Sequence, residues 1–128
     1  MKAIHFLALG ILFLTYNVSD AQTWTKLGSA KVTGASDHDE IWVTGIQGNF
    51  TAIKLFVENE GIEFDRVAVT YGNGTKDEME IRNFIKAGEE TRVLDLRGGD
   101  RVIRKIDFWY KSNPNTKRKA QVIVYGRR

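Results

Sequence analysis

Three groups of residues could do chemistry. The first is the run Asp37-His38-Asp39-Glu40. Carboxylate oxygens at alternate positions of a loop suit Ca²⁺, and an imidazole adds a nitrogen donor for a transition metal. Asp37 and Asp39 are the candidate ligands. The run supplies fewer donors than the roughly six to eight oxygens that Ca²⁺ takes, and it has no turn glycine at the required offset. His38 is the one His beyond residue 21, which excludes a multi-His zinc site. The alternative is a polar turn whose Asp side chains accept backbone N–H groups or pair with Arg. That role is the expectation, with no metal and no cofactor.

The second group is Arg92, Arg97, Arg101 and Arg104, which sit close together between Thr91 and Lys105. Residues 88–128 hold 11 Lys and Arg against 5 Asp and Glu, while residues 22–87 hold 7 against 10. A basic half can attract an anionic polymer, and guanidinium forks match carboxylates and phosphates. Some of these arginines are also expected to pair with Asp37, Asp39 or Asp95 and so tie strands together.

The third group is aromatic. If Ile41 and Val43 point inward on a strand, Trp42 points outward. Phe56 stands in the same relation to Leu55 and Val57, and Trp109 to Phe108 and Tyr110. Outward aromatics on a sheet stack on the apolar C–H faces of sugar rings or form a protein interface. A covering loop would bury them instead. Trp109, near Lys105 and Lys111, is the prime candidate.

Catalysis is not expected. The chain has no Cys. A Ser-His-Asp arrangement would have to use His38 with Ser29 or Ser36, and neither serine sits in a Gly-x-Ser-x-Gly elbow. A pair of carboxylates such as Asp37 and Asp39 is the one remaining option.

The elements that must position these groups are short alternating runs separated by Gly, Asn and charged clusters. This is the pattern of an all-β protein. About eight strands are predicted: Trp24–Val32, Glu40–Thr44, Phe50–Glu58, Ile62–Tyr71, Met79–Phe84, Arg92–Leu96, Val102–Lys111 and Ala120–Tyr125. In the clearest one Ile106, Phe108 and Tyr110 alternate with Asp107, Trp109 and Lys111. Segment 76–87 could also follow a helical period, with Gly88 as a C-cap, but its β-rich neighbours favour a strand. Glu58-Asn-Glu-Gly61 is expected to close a hairpin. Asn73-Gly74 should form another, because both residues tolerate positive φ. The last strand is expected to pair with the one before it. The prediction is a single antiparallel β-sandwich, jelly-roll-like, over residues 22–128.

Residues 1–21 read as a signal peptide. Lys2 provides the positive start, Phe6–Leu14 the apolar run, and Ser19 and Ala21 the small residues before a cut at Gln22. The run is too short to cross a hydrocarbon layer of about 30 Å as a helix. No later stretch is long enough, so no transmembrane segment is expected in the mature chain. With no disulfide to staple it, the exported domain depends on its core, which a chain with 42% hydrophobic residues over its full length can build. Export weakens any nucleic-acid reading of the basic half.

The order of features resembles a known family. Trp24-Thr-Lys-Leu-Gly28, Asp37-His-Asp-Glu-Ile41 and Phe50-x-x-Ile-x-Leu55 come first. Val67-x-Val-x-Tyr-x-Asn-Gly74, Ala87-Gly88 and Thr91-Arg-x-Leu-Asp-Leu96 follow. Arg101-x-Ile-x-x-Ile106, Phe108-x-Tyr110 and Val124-Tyr-Gly126 complete the order. It is similar to small exported bacterial β-sandwich proteins of uncharacterised function. The resemblance implies the fold and export to the periplasm or medium, and it transfers no activity, cofactor or site residue. It also makes the sequons at Asn49 and Asn73 chance matches. The functional expectation is a non-enzymatic binding module for a glycan or anionic envelope polymer. Trp42 and Trp109 would stack, and Arg97, Arg101 and Arg104 would hold negative groups. The alternative is a protein-interaction domain, such as a homodimer, using the same aromatic face.

Overall fold

The structure, a computed structural model, describes residues 24–32, 37–44, 48–111 and 119–128. The expected signal peptide and its cleavage point, and the Asn113-Pro114 loop, lie outside these residues. The nine described strands are β1 (Trp24–Lys31), β2 (His38–Trp42), β3 (Asn49–Phe50), β4 (Ala52–Glu58), β5 (Ile62–Tyr71), β6 (Lys76–Ile85), β7 (Leu94–Asp95), β8 (Arg101–Tyr110) and β9 (Gln121–Arg127). They form two sheets, β1-β9-β4-β7 and β2-β8-β5-β6, with β3 paired to the far end of β8. Every pairing is antiparallel. The order is that of a jelly roll, the sandwich expected from sequence. No described residue is helical, and segment 76–87 is largely the strand β6.

Period-two alternation builds the core. Leu55, Val57, Val122 and Val124 from one sheet meet Val67, Val69, Ile106 and Phe108 from the other, all fully buried. Phe108 lies edge-on to Phe64, with ring centroids 5.9 Å apart.

Several expected connections differ. Residues 59–61 join β4 to β5, which lie in different sheets, so this short turn bridges the layers and closes no hairpin. The last strand pairs with β1 and β4 and makes no pairing with β8. The expected strand Phe50–Glu58 breaks at Thr51, where the chain passes from one sheet to the other. The expected strand Arg92–Leu96 contracts to two residues.

The β5–β6 hairpin does form at Asn73-Gly74, in a different conformation from the expected one. Gly74 takes φ 88°, whereas Asn73 keeps negative φ. The Asn73 side-chain oxygen instead accepts bonds from the Thr75 backbone N–H at 3.1 Å and the Thr75 hydroxyl at 2.7 Å.

Candidate functional site

The outer face of the β2-β8-β5-β6 sheet carries both expected tryptophans, Trp42 and Trp109. Register arranges them in cross-strand rows. The first row is His38, Trp109, Arg66 and Glu80; the second is Glu40, Asp107, Ala68 and Glu78; the third is Trp42, Lys105, Thr70 and Lys76. Antiparallel partners on one face interact directly, so each row is a physical unit.

In the first row Trp109 is half-buried. The His38 ring stacks on it at 4.6 Å and 16°. The Arg66 guanidinium lies 4.0 Å from the ring centroid. His38 and Arg66 come from the strands on either side of β8, so both faces of the indole are covered. Trp109 therefore cannot stack flat on a sugar as expected, and only its edge remains accessible. That edge lines an open cleft of about 450 Å³, together with Arg66, Arg82, Asp37, Glu63 and Lys111. The cleft lies where the register shifts on both sides of β5, between Phe64 and Arg66. Bulges of this kind bend strands and re-aim side chains. Arg82, in the bulged part of β6, takes φ 43°.

The second row is acidic. Asp107 is 5% exposed. Its charge is met by His38 Nε2 at 2.8 Å and by Lys105 Nζ at 3.6 Å. A buried carboxylate needs such partners. Because it only accepts, His38 Nε2 carries the proton of this bond. His38 is thus fixed by a stack and a hydrogen bond.

The third row holds Trp42, which is 62% exposed. Its indole N–H donates to Glu40 Oε1 at 3.1 Å. Lys105 Nζ lies 5.1 Å from the ring and 3.4 Å from Glu40 Oε2. Trp42 and Trp109 stand four positions apart along neighbouring strands, about 13 Å at the usual rise. Phe56 lies on β4, in the opposite sheet, and is half-buried, so it does not join them.

The three expected arginines gather at one end of the sandwich, and the bonds described for them tie its loops. Arg101 lies 3.7 Å from the Tyr71 ring centroid and donates to the Arg97 carbonyl at 2.7 Å and Thr75 Oγ1 at 3.2 Å. Arg104 donates to the Gly72 carbonyl at 2.7 Å. Arg97 pairs with the buried Asp77 at 3.4 Å. Asp77 also accepts the Tyr71 hydroxyl at 3.2 Å. Burial, and then the Asp77 carboxylate, pushes the Tyr71 hydroxyl up to about 12.

Asp95 pairs with Arg127, at 3.9 Å. Asp39 accepts the Tyr110 hydroxyl at 2.6 Å, which occupies one of the two proposed metal ligands. Among the described residues no group of three or more His, Asp or Glu is placed to hold a metal. No described helix is long and apolar enough to cross a membrane.

Sequence reasoning missed Arg66, Thr70, Lys76 and Phe84, the last 54% exposed. Their positions on the outer face follow from strand alternation, but their neighbours follow only from register.

Residues 6–126 match the family described as "Domain of unknown function (DUF2541)". No curated protein matches the chain. Among solved structures, the fold is similar to part of Pseudomonas aeruginosa AlgX, with TM-score 0.53 and 13% identity over 78% of this chain and 26% of that one. This chain thus spans about a quarter of AlgX. A weaker likeness, TM-score 0.41 and 14% identity, links 81% of the chain to 90% of the SPBc2 prophage-derived protein YomS. Another, TM-score 0.37 and 15% identity, links 82% of it to 81% of a carbohydrate binding module of family 29. At these identities the likeness is one of fold.

Proposed function

The chain belongs to the DUF2541 family, and for it we propose the role of an exported, non-catalytic binding module that offers the outer face of the β2-β8-β5-β6 sheet to a glycan. Trp42 carries this reading. A lone exposed aromatic is common on a protein surface; what distinguishes this one is that Glu40 and Lys105 hold an indole that stands 62% exposed. Its indole is steadied by Glu40 and Lys105, so little freedom is lost when a sugar ring packs on it. The polar groups of the second row lie between Trp42 and the Trp109 edge and suit the hydroxyls of an extended saccharide. His38, engaged by Asp107 and Trp109, serves as support and not as a general base. The start of the chain, from Lys2 to Ala21, supports export to a bacterial periplasm or medium.

The test is binding to a glycan array and to insoluble cell-wall polysaccharide. Trp42→Ala should weaken capture at least about tenfold, equivalent to about 1.4 kcal/mol. Capture that survives this change, or its absence on every glycan, overturns the reading. Trp42 also lies on β2, an edge strand of its sheet, which favours a protein interface as the second reading. A concentration-dependent dimer that Trp42→Ala abolishes would establish that alternative.

A further inference from the structure

We infer that the glycan is acidic, and that Lys76, Arg104 and Thr70 receive its carboxylate beside Trp42. This deepens the reading above and rests on it.

Charge is distributed unevenly between the two ends of the face. At the Trp109 end each cation of the cleft already has a carboxylate. Arg66 pairs with Asp65 at 3.0 Å and Glu78 at 3.2 Å. Arg82 pairs with Glu80 at 3.1 Å, and Lys111 with Glu63 at 3.0 Å. A ligand anion there would have to displace these partners. At the Trp42 end Lys105 is committed to Glu40 and Asp107. Lys76 and Arg104 are exposed, and neither makes an ion pair among the described residues. Arg104 gives one N–H to the Gly72 carbonyl, which holds the guanidinium in place and leaves its other donors for an acceptor.

An independent observation falls in the same row. Thr70 is 7% exposed, and its hydroxyl has no hydrogen-bond partner. Buried hydroxyls are nearly always paired. This one lies directly between Lys105 and Lys76 in the cross-strand register. The hydroxyl oxygen is covered in the free protein, so a ligand oxygen meets it once the side chains over it part. One guanidinium, one free ammonium and one hydroxyl match a singly charged carboxylate on a sugar ring. The exposed indole in the row offers a surface for that ring.

The probes are polygalacturonate and its fully methyl-esterified form, which keep the same sugar and differ in charge. Affinity electrophoresis of the purified protein should show binding to the first that weakens with salt and is at least about tenfold weaker on the second. Lys76→Gln and Arg104→Gln should each lower affinity about two- to fivefold, and together about tenfold. Thr70→Val should lower it without loss of unliganded stability, since no bond described in the free protein is lost. Equal affinity for both polymers, lost with Trp42→Ala, overturns the charge inference and leaves the glycan reading intact. Binding to polygalacturonate that is indifferent to Lys76 and Arg104 also overturns it. Failure to bind these polymers and every neutral glycan overturns both.

Discussion

Trp42 and Trp109 share a face but differ in burial and packing, a difference that a pair of truncations can read out. Truncating a core Trp to Ala costs about 3–5 kcal/mol. Trp109 is half-buried, which scales that to about 2 kcal/mol. Its loss also removes the His38 stack and the Arg66 contact, each worth about 0.5–1 kcal/mol and partly counted already. The expected cost of Trp109→Ala is about 2–3 kcal/mol, which lowers the Tm by about 10 °C or more. Trp42 buries little, and its one described bond is to an exposed carboxylate. Trp42→Ala should therefore change stability by less than about 0.5 kcal/mol. Urea unfolding followed by far-ultraviolet circular dichroism avoids a fluorescence signal that the substitutions themselves alter. Equal destabilisation by the two variants would refute this difference in packing. So would a Trp109→Ala protein as stable as the parent.

The raised Tyr71 hydroxyl makes a prediction about alkaline pH. Its ordinary value of 10.0 rises to about 12 in the folded state, so folding favours the neutral form. The resulting stability is fully present below pH 10 and is lost as pH climbs from about 10 to 12, by no more than about 2 kcal/mol. Tyr71→Phe should flatten that part of the urea-midpoint profile, and an unchanged slope would count against the cause. Gly126→Ala tests packing. Its Cβ would stand 2.7 Å from Phe50 Cδ1 and 3.0 Å from Leu27 Cδ1. A loss of about 1–3 kcal/mol is expected on thermal unfolding.

Alternation made the strands legible. Val67, Val69 and Tyr71 do share the buried face of β5, as do Ile106, Phe108 and Tyr110 on β8. What alternation does not encode is the sheet a strand joins. The turn at Glu58–Gly61 carries the local signals of a hairpin, and only the packing of the two layers decides that it crosses between them. For the same reason the partner of the last strand was not readable: β1 lies some hundred residues away in sequence. The site was legible as residue types and not as partners. The cluster of Arg97, Arg101 and Arg104 was visible. Their acceptors include the carbonyls of Arg97 and Gly72, which no sequence pattern marks. Trp109 was visible as an outward aromatic. Its covers, His38 and Arg66, come from strands 71 and 43 positions earlier in the chain.

The central place of β9 has a consequence for how the chain reaches its fold. β9 pairs with β1 on one side and β4 on the other, so it forms the middle of its sheet. Until residues 121–127 are made, β1 has no described sheet partner, and β4 is paired along one edge only, with β7 and with residues 88–91. The nascent chain therefore cannot close its sandwich from the front. Contacts this distant in sequence also place folding among the slower classes, since loop entropy is lost before the strands gain anything. A growing chain of this kind stays open until β9 is made, and β1 and β4 then close on its two edges.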